Sequence, residues 1–207
     1  MLKCIYNCTI HFVMYSFICT FAKNIIMRNY LTWKEANMLQ SQFMMEKKYD
    51  LSLLFYLSLH TGLRISDLLS LRWVDLINKS TIELIECKSK KKKVIELSED
   101  TKSYIENIYI LKKPNSCCNF CFVSQKKVIY SIQRINQILK ATAIKCKISD
   151  VKLSTNSLRI TFGREVYFRS NGEALNSLSI YFSHPSDQFT LSYLHLKKDE
   201  NLYFHSL

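Results

Sequence analysis

The sequence predicts an α+β fold that is mainly α-helical with a small three-stranded antiparallel sheet. Three glycines and two prolines among 207 residues leave few sites for tight turns, which favours helix. A capping pattern and several apolar stripes at helical spacing support the same prediction. Three short alternating or apolar segments, at 81–87, 93–97 and 120–123, predict the strands.

Residues 1–28 form a hydrophobic extension in front of the regular pattern. Their apolar run FVMYSFICTFA superficially mimics a signal peptide, and it is too short to span a bilayer. Three interpretations stay open, in falling order: translation starts at Met27, the run is a loose hydrophobic helix, or it is a targeting segment. We therefore predict one domain over residues 29–207, with 48% hydrophobic residues in the chain to build its core.

Two helices are predicted ahead of the sheet. Residues 32–35 match the T-x-x-E capping box, which begins an amphipathic helix through about Lys47. The run 51–59 is apolar on nearly every side, so it predicts a helix buried inside the domain. Thr61 and Gly62 are expected to end that helix.

Arg64 stands where the next helix begins, and Ser66 or Asp67 is the expected cap. The helix macrodipole opposes a cation at this end, so Arg64 needs a partner. That partner is either an anion, bound jointly by Arg64 and the free backbone amides, or the carboxylate of Asp67. The local sequence leaves the two interpretations even.

A basic connection, KSKKK, joins the two strands of the predicted hairpin. It lacks glycine, so we expect a loose and mobile turn. We expect most of these lysines to be solvated and any contact with nucleic acid to be a point-charge contact to phosphate. The lysines assigned to this DNA-binding role are Lys90, Lys91, Lys92 and Lys93.

The segment between the hairpin and residue 150 is predicted to be scaffold. Ser98 is the expected cap of a helix that ends before Pro114. Ser131 is expected to start another helix, with Ile135 and Leu139 on its inward face. Nothing in these elements calls for chemistry.

Arg159 lies in the first turn of the next helix, for which Thr155 or Asn156 is the expected cap. Two arginines at helix starts, far apart in sequence, suggest one shared anion. A salt bridge to a neighbouring carboxylate is the simpler explanation for Arg159 alone. His184, beside a proline, and Tyr193, in a short helix, are by themselves most often a loop residue and a packing residue.

The composition narrows the class of partner. A formal net charge of +12 favours a polyanion, and in a chain with this much core nucleic acid is favoured over membrane. Eight cysteines occur without the paired spacing of a zinc finger, so we expect reduced thiols and no metal site. These features favour a cytoplasmic protein.

The segment TGLRISDLLSLRW around Arg64 is similar to the first arginine box of the tyrosine recombinases, the phage integrase family. Together with Lys88, the stretch 156–159, His184 and Tyr193, it resembles that family's ordered set of arginine, hairpin lysine, H-x-x-R, histidine and, nine residues later, tyrosine. The resemblance covers residues 29–207 and is specific as a joint pattern.

The resemblance implies the tyrosine recombinase catalytic-domain fold and a role for each residue. Tyr193 would attack a phosphodiester of double-stranded DNA and form a covalent 3′-phosphotyrosine, while Arg64 and Arg159 clamp the phosphate oxygens. Lys88 would protonate the departing 5′ oxygen, and His184 would assist as a hydrogen-bond donor. The arginines take the place of a metal ion, so no cofactor is expected.

Departures from the family pattern bear on activity. Asn156 stands where the family has histidine, and because an amide cannot transfer a proton the rate would fall by roughly 10²-fold if nothing compensates. Ser183 replaces the glycine that precedes His184. Full-length members also carry a helical domain ahead of the catalytic one, which residues 1–28 are too few to supply. A truncated relative, a minimal recombinase and a remnant are therefore all open.

The preferred hypothesis is a site-specific DNA recombinase or integrase that acts on DNA in the nucleoid. The resemblance further implies a tetramer on two duplexes, with the tail, residues 194–207, docked on a neighbouring subunit. The alternatives are a DNA-binding remnant without turnover and an enzyme that relaxes DNA as type IB topoisomerases do. A membrane-anchored protein is more distant, since it rests only on residues 9–22, and we expect no membrane partner.

Overall fold

A computed structural model describes residues 27–196, which contain eight α-helices, one short 3₁₀-helix at Trp73–Asp75 and two strands. The predictions for the N-terminal extension up to residue 26 and for the tail after residue 196 lie outside the described residues. The helices are α1 (Trp33–Met45), α2 (Tyr49–Thr61), α3 (Ile65–Leu68), α4 (Glu99–Lys112), α5 (Ile132–Lys145), α6 (Thr155–Arg169), α7 (Leu175–Phe182) and α8 (Asp187–Tyr193).

The sheet of the described residues has two strands, β1 (Thr81–Ile85) and β2 (Lys92–Glu96), paired antiparallel in one hairpin. The predicted third strand at 120–123 is wrong. Phe120 and Val123 make only isolated bridges, to Arg72 and Ile129. The chain turns back after Val123, where Ser124 N donates to Val128 O, so the segment is too short to extend the ladder.

The start of α1 confirms the capping box. Thr32 Oγ1 accepts from Glu35 N at 3.2 Å, and the Glu35 carboxylate accepts from Thr32 N at 2.8 Å. Arg28 also pairs with Glu35 and with Asp150, and it bridges Val151 through the backbone. The folded part of the chain therefore includes Arg28, one residue before the predicted boundary.

Helix α2 is the buried helix that its apolar sequence predicts. Leu53, Leu54, Phe55 and Leu57 have no exposed surface, and α2 packs against α1, α4 and α6. Gly62 ends the helix with φ of 61°, a left-handed conformation that favours glycine. A Cβ there would lie 2.2 Å from the Phe162 ring, so the end of α2 sits tightly against α6.

The caps of α3 and α6 differ from the prediction. Arg64 itself occupies the N-cap position of α3, and Asp67 instead accepts from Cys87 N of the hairpin at 2.9 Å. The N-cap of α6 is Ser154, whose N–H donates to Ser157 Oγ at 3.1 Å. Tertiary hydrogen bonds from outside each helix therefore replace the local caps that the sequence suggests.

The last three helices build a second, smaller core around Phe182, which lies between α6 and α8. Gly163 permits this packing, because a Cβ at that position would lie 2.6 Å from Leu194 and 2.9 Å from Phe182. The contact brings the end of α8 against the middle of α6. Between residues 27 and 196 no helix combines the length and apolarity needed to cross a membrane.

Candidate active site

Arg64 reaches the space between the two cores from the N-cap of α3. Its Nη1 donates to Glu86 Oε1 at 2.9 Å, and its Nη2 donates to Phe182 O at 3.4 Å. The Asp67 carboxylate, the partner considered from sequence, lies 4.0 Å away. Glu86 is therefore the closer counter-ion, and the side chain of Arg64 remains 24% exposed.

Arg159 enters the same space from the first turn of α6 and is almost fully buried, at 3% exposure. Its Nη1 donates to Gly62 O at 2.6 Å, and its Nη2 donates to Phe182 O at 3.4 Å. The guanidinium also lies 4.2 Å from the centre of the Phe182 ring. Both arginines thus meet at one carbonyl, that of Phe182.

Tyr193, at the end of α8, lies over this arginine pair. Its hydroxyl donates to Asn156 Oδ1 at 2.8 Å, which fixes the direction of the phenol. Burial raises the pKa of Tyr193, while the charges of Arg159 and Arg64 act in the opposite direction. A cavity of about 470 Å³, lined also by Lys140 and Lys152, adjoins this tyrosine.

His184 stands beside Tyr193, with their ring centroids 4.8 Å apart in an edge-to-face arrangement. Its Nδ1 lies 3.0 Å from Thr190 Oγ1, and that hydroxyl donates to Ser186 O. This pattern assigns the proton to Nδ1 and leaves the lone pair on Nε2. Burial and the charges of Arg159, Arg64 and Lys88 lower the pKa of His184, so the ring is neutral at pH 7.

Ser183, in place of the family's glycine, has φ of 57° at the end of α7. A non-glycine residue in this region carries local strain. His184 N still donates to Ser179 O at 2.9 Å, so the helix end is closed in the usual way. The serine therefore adopts the backbone conformation that glycine would take.

The hairpin lysines divide into two groups. Lys88, Lys90, Lys91 and Lys92 are exposed, and Lys92 pairs with Glu83 at 2.8 Å on the outer face. Lys93 instead points inward, where its Nζ donates to Tyr181 O at 2.7 Å. The structure therefore places Lys88, the predicted general acid, outside the pocket and Lys93 within it.

Glu86 is the counter-ion of this pocket, and its residue is 2% exposed. Its Oε1 lies 3.5 Å from Lys93 Nζ, and its Oε2 accepts from Ser89 Oγ at 2.5 Å. Burial opposes ionisation of Glu86, but Ser89 and the charges of Lys93, Arg64 and Arg159 outweigh it and lower the pKa of the carboxyl. The carboxylate is thus charged in the folded protein.

Sequence reasoning missed Glu86 and misplaced Lys93, although strand alternation carried a signal for both. Ile82 and Leu84 face the core from β1, and the same alternation turns Glu86 inward. Lys93 pairs with Leu84 across the hairpin, so its side chain lies on that inner face. The pattern of two alone would have separated Lys93 from Lys92.

The structure brings together Arg64, Arg159, His184, Tyr193 and Asn156, all of which the sequence selected. Two guanidiniums and one ammonium surround a single buried carboxylate, so the pocket carries an excess of positive charge. Such a pocket can bind a phosphate through charge-assisted, paired hydrogen bonds. Between residues 27 and 196 there is no group of three or more side chains of the metal-binding type.

Residues 29–200 match the sequence model of the phage integrase family. A curated relative from Bacillus subtilis strain 168, the probable integrase/recombinase YoeC, is 31% identical over 166 residues. The aligned region is 76% of this chain and 84% of that relative.

Solved structures give the same likeness in three dimensions. The XerA recombinase superposes with a TM-score of 0.66 at 22% identity, over 83% of this chain and 62% of that one. The XerH site-specific recombinase bound to its palindromic difH substrate has a TM-score of 0.66 at 18% identity, over 82% and 49%. A lambda integrase tetramer bound to a Holliday junction has a TM-score of 0.54 at 17% identity, over 84% and 47%.

The chain therefore spans between 47% and 62% of the length of these solved structures. The likeness confirms the predicted fold class, apart from the number of strands.

Proposed function

The chain belongs to the phage integrase family of tyrosine recombinases, whose function is site-specific DNA recombination, and from this premise we propose that it cleaves and rejoins DNA through a covalent 3′-phosphotyrosine. The observation that supports the proposal most is the meeting of three distant segments. The Tyr193 hydroxyl, held by Asn156, lies over two arginines that share the Phe182 carbonyl.

The proposed step is an in-line displacement at phosphorus. The Tyr193 oxygen forms a bond to the scissile phosphorus, the bond from phosphorus to the 5′ oxygen breaks, and that oxygen leaves as a hydroxyl after gaining a proton. Arg64 and Arg159 bind the non-bridging oxygens and stabilise the charge that develops in the transition state. The phosphotyrosine keeps the bond energy, so the reverse attack by a 5′ hydroxyl rejoins the strand without a cofactor.

The phenol must lose its proton in this step. Asn156 orients the hydroxyl and cannot accept the proton, because its amide oxygen is not a base in water. The neutral His184 ring, 4.8 Å from the Tyr193 ring, is the titratable group that we assign to assist. This role differs from the donor role that the resemblance implies for His184.

The general acid remains Lys88, as the resemblance implies. It sits on the exposed turn of the hairpin, and the turn must bend toward bound DNA to bring its ammonium to the 5′ oxygen. Lys90, Lys91 and Lys92 would then follow the backbone as point charges.

A suicide-substrate assay tests the proposal. The full chain is mixed with a pool of nicked duplexes of randomised sequence in EDTA, and a labelled DNA adduct is sought on a denaturing gel. We expect an adduct that Tyr193→Phe abolishes and that the control Tyr49→Phe leaves intact. An adduct that survives Tyr193→Phe would refute the assignment of the nucleophile.

Two other functions share the fold. Asn156 favours a DNA-binding remnant without turnover, for which we would observe salt-sensitive duplex binding and no adduct under any condition. A type IB topoisomerase-like activity would appear as relaxation of supercoiled DNA without site preference. The same preparation of protein distinguishes all three.

We also propose that the protein acts on cytoplasmic DNA as an assembly of four subunits, in which residues 197–207 dock on a neighbour. The lambda integrase tetramer on a Holliday junction is the related assembly. Removal of residues 197–207 should leave strand cleavage in place and reduce formation of the four-subunit complex on DNA, as measured by light scattering. Assembly equal to that of the full chain would contradict this role.

A further inference from the structure

The pocket contains a carboxylate and an ammonium that the proposed reaction does not use. Glu86 Oε1 lies between Arg64 Nη1, at 2.9 Å, and Lys93 Nζ, at 3.5 Å. Both side chains of the pair are largely buried, at 3% exposure for Glu86 and 13% for Lys93. A buried ion pair costs desolvation, so its presence at the phosphate pocket calls for a role.

We propose that Lys93 is a further phosphate-binding residue and that Glu86 is the positioning residue that holds Lys93 and Arg64 for this task. The inference rests on the proposed function, because the phosphate is that of the DNA strand to be cleaved. It separates Lys93 from the other lysines of the hairpin, which meet DNA only from the outer side.

The positions of the donors support a role in binding phosphate. Lys93 has three N–H groups, of which one donates to Tyr181 O and a second points toward Glu86. Arg64 uses Nη1 for Glu86 and makes only a long contact through Nη2, at 3.4 Å. Each cation therefore keeps a donor for an anion that enters beside Glu86.

The charges around Lys93 come from four elements. Burial lowers the pKa of Lys93 to about 8, and Arg159 on α6 and Arg64 ahead of α3 lower it further, while Glu86 after β1 raises it. The ring of Tyr181 on α7, whose centre is 3.4 Å from Nζ, favours the charged form. Glu86 is thus the group that keeps Lys93 protonated against two guanidiniums.

Glu86 also connects the pocket to the hairpin turn. Ser89, one residue after Lys88, donates to Glu86 Oε2 at 2.5 Å. Phosphate binding that draws Arg64 and Lys93 toward the DNA changes the field at Glu86, to which the turn is bonded. The carboxylate therefore holds the first part of the turn while the lysines beyond it stay exposed.

Direct titration of Lys93 tests the inference without any need for catalysis. The full chain is labelled with ¹³C at lysine Cε, Lys93 is identified by its loss in Lys93→Arg, and each lysine is titrated by NMR. We expect Glu86→Gln to lower the pKa of Lys93 by about one unit or more, since the charge that raises it is removed. The matched control is Glu83→Gln, which removes the exposed partner of Lys92.

Inorganic phosphate is the probe of the site in the same experiment. Added phosphate should raise the pKa of Lys93 in the wild-type chain, because an anion favours the charged form, and should leave Lys92 little changed. A Lys93 pKa that Glu86→Gln does not move would overturn the positioning role. Equal responses of Lys92 and Lys93 to phosphate would overturn the binding role.

Adduct formation provides a second readout. Glu86→Gln should reduce the rate by about 10-fold at pH 8 and by less at pH 6, where Lys93 stays protonated in both proteins. Lys93→Arg in the Glu86→Gln background should remove this pH dependence, because a guanidinium does not titrate in that range. If Glu86→Gln does not fold, Lys93→Met alone must lower the rate while Lys92→Met does not, and equal rates for these two variants would end the proposal. Failure of the proposed function would instead appear as no adduct with a normal Lys93 titration.

Discussion

The hairpin carries two pairs of glutamate and lysine that differ in their surroundings. The outer pair, Glu83 and Lys92, is closer, at 2.8 Å, and its side chains are 55% and 67% exposed. The inner pair, Glu86 and Lys93, is 3.5 Å apart and nearly closed to water. Water screens the outer pair, whereas the inner pair also faces two arginines. Environment, more than separation, therefore decides which pair belongs to the site.

The largest expected effect extends this comparison to the arginines of α6. Arg159→Ala should lower adduct formation by about 10³-fold, because it removes a preorganised, desolvated donor to the phosphate. The control Arg169→Ala removes an exposed arginine from the same helix, where it pairs with Glu165, and should leave the rate unchanged. The rate is measured by single-turnover trapping.

Arg159→Lys guards against a folding defect, since it keeps the charge and loses the paired geometry. A lysine variant as active as the wild type would show that the fork of the guanidinium is not needed.

The next effect is on stability. Glu86→Ala leaves Arg64 and Lys93 without their shared counter-ion, so it should reduce the free energy of unfolding by about 2 to 3 kcal/mol in urea. Glu83→Ala should not shift the urea midpoint measurably. If the two variants behave alike, burial does not distinguish the pairs.

The same pair predicts a dependence on pH with a definite sign. The pKa of Glu86 is lowered in the folded protein, so its contribution is present above the unfolded value, about 4.3, and is lost as pH falls through the folded value. The stability difference between wild type and Glu86→Ala should therefore shrink below about pH 4. A difference that grows in acid would contradict the ionised state of Glu86.

Asn156→His sharpens the comparison by placing a titratable group inside the pocket. It stands within hydrogen-bond reach of the Tyr193 hydroxyl, so a histidine there can accept the phenol proton. We expect adduct formation to rise by about 10-fold to 100-fold and to fall in acid as the new imidazole is protonated. Asn107→His, exposed on α4, is the control, and a similar gain from it would remove the explanation.

The smallest effect concerns the outer face. Lys92→Met should lower the slope of log affinity against log salt by about one, because one phosphate contact is lost, and should leave the rate at saturating DNA unchanged. Fluorescence anisotropy with a labelled duplex measures the slope. A fall in the rate at saturation would place Lys92 in the same class as Lys93.

Local sequence predicted the elements whose hydrogen bonds are local. Thr32, Ser98 and Ser131 each cap the helix that follows, because a hydroxyl three residues before an amide finds it whatever the rest of the fold does. The burial of α2 was equally plain, since an apolar helix has no other place in water. Where an atom's partner comes from a distant segment, as with Asp67 and Cys87, prediction failed.

The candidate site shows the same division. Order and spacing along the chain were enough to select Arg64, Asn156, Arg159, His184 and Tyr193, because this set of side chains matches the chemistry of the family. The pocket position of Lys93 and its pairing with Glu86 depend on the register of two strands and on the end of α7. No local pattern sets the distance between these segments.

The amino-acid sequence alone determined the helical character, the buried helix α2 and the identity of most of the catalytic set, since these follow from short-range hydrogen bonding, apolar periodicity and residue type. Only the tertiary structure decided which lysine enters the pocket, which carboxylate balances the arginines and which serine caps α6. The physical reason is that charge and desolvation act through space, so the same lysine is a solvated point charge or part of a binding site according to what packs around it.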